Sequence, residues 1–413
     1  MSGEKRGSKT RRSLEAIIAD ALNQLFKNLE DAEIELEGVE IEADELELEP
    51  IMQAIVSQIP KPVEVAKPAV KPLPERLLEA EFTPPVTEYP GSIVEVKIGA
   101  TKSEGGTRSK TVVLGGETVP AFYTFEGLNP NPPVVSLDVF DTRIPLARAV
   151  RMEVKDVLDD PAEWAKKAVH KFGAEVVNLH LVSIDPLLKD TPPSEAAKTV
   201  ENVLQAVDVP ICVGGCGDPL KDLKVFEKVC EVAEGERILI NSVTLDMDFK
   251  KVAEAVKRHG HAVIAFTSMS MDDARELNRK LYEVLPKEDI VIDTTTAALG
   301  YGLDYAFTIM ERTRLAALMG DTELQHPISS GTTNAWAARE AWMKLDESKW
   351  GPRELRGPIW EVVTALTLLL AGVDYFMMMH PLAVKTVKQV IDRFTMGGVF
   401  DSEKYLNWVS STF

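Results

Sequence analysis

The sequence predicts an α/β protein built as a (β/α)8 barrel, the TIM-barrel architecture, with an N-terminal hairpin and a helical, acidic and proline-rich N-terminal extension. Three observations predict the barrel. Eight short apolar segments alternate with helical stretches between residue 134 and the C-terminus. These segments are apolar nearly throughout, as expected of parallel strands buried on both faces. No G-x-G-x-x-G motif follows the first of them, which disfavours the alternative, an open doubly wound sheet.

Residues 1–59 are predicted to hold an N-terminal helix and an acidic segment. Apolar residues recur on one helical face over 13–29, and this helix could dock on a partner or pack on its own domain. Residues 30–49 contain eleven Asp or Glu and no Lys or Arg, which is typical of a solvated segment. Residues 60–90 contain eight prolines, which fix φ and lack an N–H donor, so they predict an extended linker. The compact barrel domain is predicted over 91–413.

The barrel domain is expected to open with a hairpin. Residues 92–99 and 110–116 are β-branched stretches joined by a glycine-rich turn, and the hairpin would cap the N-terminal end of the barrel. The predicted barrel strands are 134–140, 175–183, 209–215, 237–244, 261–268, 289–295, 326–331 and 374–381. Helical periodicity follows them, for example over 161–172, 194–207, 218–233 and 271–285.

Charge and cysteine content exclude several classes of protein. The formal net charge is −19, which argues against a nucleic-acid partner because phosphate binding needs a basic field. No run of 18 apolar residues predicts a membrane span, and the basic start lacks the apolar core of a signal peptide. Three cysteines do not make a disulfide framework, so a cytoplasmic setting is predicted.

Functional side chains of such barrels come from the carboxyl ends of the strands and the loops that follow, here called the C-terminal mouth. Reading those ends predicts a mouth rich in hydroxyls, amides and glycine with few charges, suited to a large neutral polar ligand. The candidates are Asp138, Asp141, Thr142, Asn178, His180, Ser183, Asp185, Gly214, Gly215, Cys216, Gly217, Asn241, Ser242, Thr244, Thr267, Ser268, Asp293, Thr294, Thr295, Thr296, Ser329, Ser330, Gly331, Thr332, Thr333, Asn334 and His380.

Several of these candidates have a purely structural interpretation as well. The run 293–295 could cap the next helix, and the loop 329–334 could bind an anion or satisfy its own backbone. A lone histidine beside an apolar strand, as at His180 and His380, is usually a core residue. Cys212, Cys216 and Cys230 lack the tight pairing and the fourth ligand of a metal or cluster site. Zincin, Walker and G-x-S-x-G motifs are absent.

Several long segments carry a family resemblance. They are NLHLVSIDP (178–186), VPICVGGCGDP (209–219), DTTTAALGYGLDYAFTIMERTRLAAL (293–318), QHPISSGTTNAWAAREAW (325–342) and WGPRELRGPIWEVVTALTLLLAGVDYFMMMHP (350–381). Over about residues 90–395 the sequence resembles the delta subunits of archaeal acetyl-CoA decarbonylase/synthase complexes, also called corrinoid iron–sulfur protein small subunits. The acidic, proline-rich extension resembles the longer archaeal members of this family.

The resemblance implies a barrel similar to pterin-binding methyltransferases that pairs one-to-one with a gamma (large) subunit. That partner would carry the iron–sulfur cluster and most of the corrinoid-binding domain, with the corrinoid set against the C-terminal mouth. The heterodimer would relay a methyl group between a tetrahydropterin, of the tetrahydrosarcinapterin type, and acetyl-CoA synthase within the larger complex. The chain would then be a non-catalytic or co-catalytic subunit.

The residues agree with these implications. Three cysteines cannot hold a four-thiolate cluster, and the corrinoid motif D-x-H-x-x-G is absent. An uncharged mouth would suit a nucleophilic cobalt. Thr294, Thr295, Ser330 and Asn334 are expected to face the corrinoid, and Asp138 and Asn178 are expected to form a residual pterin site. No catalytic or metal-ligating residue is assigned.

Three other functions remain open. The chain could be an autonomous pterin-dependent methyltransferase, although it lacks a corrinoid motif of its own. A barrel lyase or isomerase acting on a small phosphorylated substrate would need lysines or paired carboxylates at strand ends, and those ends offer no lysine. The chain could also be chiefly an assembly hub, with residues 1–90 tethering the heterodimer to other subunits, which is compatible with the leading interpretation.

Overall fold

A computed structural model describes residues 87–123 and 129–395. The predicted helix over 13–29, the acidic block and the linker up to residue 86 lie outside the described residues, as does the end of the chain after residue 395. The predicted boundaries 1–59, 60–90 and 91–413 therefore stay predictions.

Eight parallel strands close into a barrel, which confirms the predicted fold class. The strands are β3 (Val134–Phe140), β4 (Val176–His180), β5 (Ile211–Gly214), β6 (Leu239–Val243), β7 (Ala262–Phe266), β8 (Ile290–Asp293), β9 (Ile328–Ser330) and β10 (Val373–Met378). They pair in chain order, and β10 closes the ring against β3. Every residue of β3 is buried, because the strand packs on the barrel interior on one face and on helices on the other.

Helices surround the barrel in the connections between strands. They are α1 (Arg148–Val154), α2 (Pro161–His170), α3 (Pro193–Ala206), α4 (Pro219–Val232), α5 (Phe249–His259), α6 (Met271–Leu281), α7 (Leu303–Leu318), α8 (Glu347–Trp350), α9 (Arg353–Leu370) and α10 (Pro381–Thr395). Short side chains start several of them: Asp160 accepts N–H bonds at the start of α2, and Asp218 does so for α4. Gly260, in the left-handed region at φ 75°, ends α5.

The predicted hairpin closes the N-terminal end of the barrel. Its strands β1 (Val96–Ile98) and β2 (Val112–Leu114) pair antiparallel. The buried side chains of both strands belong to one cluster with residues near the starts of the barrel strands, among them Val176 and Leu239. A hydrogen bond of 2.8 Å from the Gly99 amide to the Arg237 carbonyl fixes the hairpin to the barrel wall. The hairpin therefore covers the N-terminal end of the barrel.

A buried ion cluster joins the segment after the hairpin to the barrel. The Arg314 guanidinium on α7 donates to Glu117 at 3.0 Å and also to the carboxylate of Asp374 on β10. It donates to the Gly372 carbonyl at 2.6 Å as well. Asp374 in turn accepts the Ile328 amide of β9 at 2.7 Å. All three charged side chains are buried, so the cluster links two strands, a helix and the hairpin segment.

Candidate functional site

The first polar cluster of the C-terminal mouth is built on two neighbouring strands. Asp138 of β3 and Asn178 of β4 are register partners, which brings their side chains together. The Asn178 amide donates to Asp138 Oδ1 at 2.7 Å, and the Thr333 hydroxyl donates to Asp138 Oδ2. Asn178 Oδ1 has no hydrogen-bond partner among the described residues. The two candidate pterin-site residues thus lie in contact, with one acceptor atom unused.

His180 completes this cluster at the end of β4. Its Nε2 lies 3.1 Å from Asp138 Oδ1 and 2.9 Å from the Asn178 amide nitrogen. The imidazole stacks on Phe140, with ring centroids 4.9 Å apart. Burial lowers the pKa of His180, but the carboxylates Asp138 and Asp141 outweigh it, so the pKa is raised. Because 23 % of the side chain remains exposed, His180 is not an ordinary core histidine.

A second cluster lies at the end of β8. Asp293 accepts the Thr295 amide at 2.8 Å and the Ser329 hydroxyl at 3.2 Å. Burial raises the pKa of Asp293 to about 6. The Thr294 side chain is buried, and its hydroxyl finds no partner in the part of the chain that the structure describes. Thr295 has a positive φ of 77°, and its hydroxyl donates to the Thr267 carbonyl at 2.8 Å. The structure therefore places these residues in a turn at the mouth.

Helix capping by 293–295 is wrong, because α7 begins ten residues after Asp293, with Gly302 at its cap position. The loop after β9 instead connects to this turn through hydroxyls. Ser330 contacts the hydroxyls of Thr296 and Thr332, each at 2.9 Å. The Asn334 amide donates to the Thr296 carbonyl at 2.9 Å. Thr294, Thr295, Ser330 and Asn334 thus belong to one connected wall of the mouth, while Asp138 and Asn178 belong to the neighbouring wall.

Buried carboxylates lie at or beside the mouth, and they include side chains beyond the acidic residues expected from the strand ends. Two of these carboxylates, Asp222 and Glu361, were not among the predicted residues. Both lie on helices, whereas the prediction considered only the ends of the strands. Asp222 of α4 accepts the amides of Cys216 and Gly217, each at 2.8 Å. Glu361 of α9 accepts the His380 amide at 3.0 Å, and burial raises its pKa to about 8. A lone acidic residue within the apolar run 359–370 is the sequence signal for Glu361.

The cysteines are unsuited to nucleophilic chemistry. Cys212 and Cys230 are buried and Cys216 is half-buried, and all three are free. Burial raises the pKa of the Cys216 and Cys230 thiols to about 12. Over residues 87–123 and 129–395, no group of three or more His, Cys, Asp or Glu could hold a metal ion. No helix in these ranges is long and apolar enough to cross a membrane.

Some solved structures match part of this chain at low similarity. Dihydropteroate synthase from Yersinia pestis matches with 13 % identity, 67 % of this chain and 97 % of that chain covered, and a TM-score of 0.42. The synthase from Thermus thermophilus matches with 18 % identity, 66 % and 97 % covered, and a TM-score of 0.41. Likenesses of this size say nothing about the ligands of this chain.

Sequence comparison is more specific. The model of the family "CO dehydrogenase/acetyl-CoA synthase delta subunit" matches residues 95–346. The acetyl-CoA decarbonylase/synthase complex subunit delta of Archaeoglobus fulgidus is 59 % identical over 345 residues, covering 82 % of this chain and 75 % of that protein. The subunit delta of Methanothermobacter thermautotrophicus is 49 % identical, covering 92 % and 94 %. The chain therefore belongs to the family of CO dehydrogenase/acetyl-CoA synthase delta subunits.

Proposed function

We propose that this chain is the delta subunit of an acetyl-CoA decarbonylase/synthase complex and pairs with a gamma subunit to enclose a corrinoid. The pair would carry a methyl group between a tetrahydropterin of the tetrahydrosarcinapterin type and acetyl-CoA synthase. Family membership supports the place in the complex, since the relatives are named as subunits of it. The iron–sulfur cluster would lie on the partner, in keeping with the family resemblance.

An exposed apolar helix face is the observation that carries the proposed pairing. Ile359, Val363 and Leu370 of α9 recur at helical spacing, and each is 37–59 % exposed. The neighbouring helix α7 adds Tyr305, and Met319 directly follows its last residue; both side chains are exposed. Exposed apolar side chains grouped on one helix face are typical of a protein interface. A gamma subunit seated there would bury it.

The mouth can be tested for its fit to a corrinoid. A corrinoid ring carries amide groups around its edge. These groups need hydrogen-bonding partners on the protein, such as hydroxyl and amide side chains. Asn334 is exposed and Thr295 is half-buried, so these two side chains can contact such a group directly. Thr294 and Ser330 are fully buried, so they would support the wall and not contact the ligand unless the loops shift. Asn334 and Thr295 therefore fit a corrinoid as direct contacts, and Thr294 and Ser330 fit as supports of the wall.

The chain's own residues would orient and enclose the cofactor. When bound, a corrinoid supplies the cobalt that carries the methyl group, and the protein supplies the surroundings. The hydroxyl chain from Thr296 through Ser330 to Thr332 fixes the wall on one side. Burial raises the pKa of Glu361 to about 8, which favours its protonated form at neutral pH and lowers the negative charge held near the mouth.

The decisive experiment is co-expression with the candidate gamma subunit followed by a visible spectrum of the purified pair. We expect bound corrinoid in the pair and none in this chain alone. Ile359→Asp places a charge on the apolar face and should weaken pairing at least about tenfold, because burying an isoleucine contributes about 1.5–3 kcal/mol. Val232→Asp, at an exposed apolar position on α4, is the matched control. A coloured single chain, or equal pairing of both variants, would contradict the proposal.

A second candidate function is an autonomous pterin-dependent methyltransferase. The observation in its favour is the Asp138–Asn178–His180 cluster, where a carboxylate, an amide with a free acceptor and an imidazole of raised pKa converge. Isothermal titration of the chain alone with a tetrahydropterin tests it. Saturable heat that is lost in Asn178→Ala would support a pterin site, and no heat at millimolar ligand would end the idea.

Residues 1–85 are proposed to tether the heterodimer to other subunits. Deleting them should leave the pair with the gamma subunit intact and weaken its capture by the larger complex. Co-purification of the larger complex at an unchanged yield would contradict the tether.

A further inference from the structure

A cavity of about 410 Å³ lies on the outside of the barrel, where the first turns of two helices meet. Glu354 and Leu355 come from the first turn of α9, and Pro381 and Leu382 come from the first turn of α10. Met152 of α1 and Phe172, just after α2, extend the apolar wall. A cavity of this size falls within the range of small-molecule sites in proteins.

Two helix amino ends face this cavity, and the dipole of each helix gives its amino end a partial positive charge. α9 has 18 residues and α10 has 15, so both are long enough to carry a helix dipole. In α9, Glu354 already lies within the first turn and meets part of that charge. In α10 the first turn holds no acidic residue. The amino end of α10 is therefore the stronger attractor for an anion.

His380 supplies a second and independent polar group. The residue lines the cavity and is 6 % exposed. Its Nδ1 accepts the Leu382 amide at 3.1 Å, so the proton of the neutral ring lies on Nε2. Within the described residues, Nε2 has no hydrogen-bond partner, although the ring stacks on Trp336 with centroids 6.0 Å apart. Burial lowers the pKa of His380 to about 4, which keeps the ring a neutral donor.

The charged side chains around the cavity favour a single negative charge. Lys171 and Lys385 line it, and neither forms an ion pair with another described residue. Glu354 is paired with Arg148 at 3.6 Å, which leaves Glu153 as the one unpaired acid in the described lining. The unpaired lining charges thus amount to two positive and one negative. A monoanion is compensated by this set, whereas a dianion would face Glu153 with excess charge.

We propose that this cavity binds a small monocarboxylate with an apolar body, its carboxylate accepting the His380 Nε2–H at the amino end of α10. The apolar body would lie against Phe172, Leu355 and Met152, and Lys385 would contribute long-range attraction. The site lies beside the C-terminal mouth, because His380 follows β10 there, and beside the apolar face of α9, because Leu355 lies one turn before Ile359. The test below uses this chain without a gamma subunit, so its outcome does not rest on the proposed pairing.

Isothermal titration of the full chain with decanoate is the test, with decyltrimethylammonium and inorganic phosphate as further probes. We expect saturable binding of decanoate, no binding of inorganic phosphate and at least about tenfold weaker binding of the cation, since the charged hydrogen bond is lost. His380→Phe keeps a ring for Trp336 to stack on and removes the donor, so it should weaken decanoate binding about tenfold or more.

Two lysines of α10 make a matched pair of charge variants. Lys385→Met should weaken decanoate binding severalfold, whereas Lys388→Met should not, because the Lys388 ammonium is engaged with Glu175 at 2.5 Å. Tryptophan fluorescence gives a second readout, since a ligand at His380 should alter the Trp336 contribution in the native chain. No heat with decanoate at millimolar concentration would overturn the proposal. Equal affinity for decanoate and the cation, or unchanged affinity in His380→Phe, would also overturn it.

Discussion

Arg314→Met is expected to destabilise the barrel strongly at neutral pH. The substitution keeps a side chain of similar length but removes the only described cation between Glu117 and Asp374, and all three side chains are buried. Removing one member of a buried, hydrogen-bonded ion pair costs about 3–5 kcal/mol, because the remaining charge stays buried and uncompensated. We therefore expect the free energy of unfolding to fall by about that amount at pH 7.

The pH dependence of this loss gives a sharper test. Burial raises the pKa of Asp374 even beside Arg314. A carboxyl whose folded pKa lies above its unfolded value stabilises the fold as pH falls, because the folded state binds the proton more tightly. Without the guanidinium, the pKa of Asp374 should rise further, because the nearby positive charge that lowers it is gone. The stability lost in Arg314→Met should therefore become smaller as the pH falls from 7 to 5.

Urea unfolding of the full chain, followed by tryptophan fluorescence at both pH values, measures this deficit. Arg275→Met is the matched control, since Arg275 pairs with Asp321 in a partly exposed position. A pair of this kind contributes about 0–1 kcal/mol. Equal losses for the two variants, or a loss for Arg314→Met that does not change with pH, would refute the reasoning.

Three further predictions concern the C-terminal mouth. Gly215→Ala places a Cβ 2.4 Å from Asp222 Cγ, so the carboxylate must release the loop amides. We expect the free energy of unfolding, measured by heat or urea, to fall by about 1–3 kcal/mol. A variant as stable as the native chain would contradict this. In the same variant, labelling of Cys216 by a thiol reagent should accelerate as the loop loosens. In the native chain the Cys216 thiol should react slowly at pH 8, because burial raises its pKa to about 12, and fast labelling before unfolding would show that burial does not protect it. Asp138→Asn should lower the pKa of His180, because burial then acts against a weaker carboxylate field; an NMR titration that finds the pKa unchanged would disprove the pairing.

Much of the barrel could be predicted from sequence, because its strands are buried on both faces. The predicted strand 134–140 matches Val134–Phe140 at both ends. Other predictions extend too far: 289–295 ends at Asp293, since Thr295 turns out of the sheet at positive φ although threonine has strand propensity. Local composition cannot predict such a turn, because the hydrogen bond from Thr295 to the Thr267 carbonyl is a long-range contact.

The candidate site was less predictable for a related reason. Asp138 and Asn178 could be grouped because the carboxyl ends of adjacent parallel strands lie at one end of a barrel. Asp222 and Glu361 reach the loops at the mouth from helices, and only the folded chain shows that their carboxylates accept loop amides. The charge of the mouth also depends on burial, because burial raises the pKa of Glu361 to about 8. The burial of a single side chain cannot be inferred from composition.

The hairpin at the base of the barrel has a consequence for exchange. Because β1 and β2 cover that end with apolar side chains and the interior of such a barrel is packed with side chains, a molecule bound at the C-terminal mouth cannot leave through the barrel. A partner that covered the mouth would hold a bound molecule kinetically as well as by affinity. The rate of its release would then depend on how fast the partner uncovers the mouth. The bound molecule could be retained without correspondingly strong contacts.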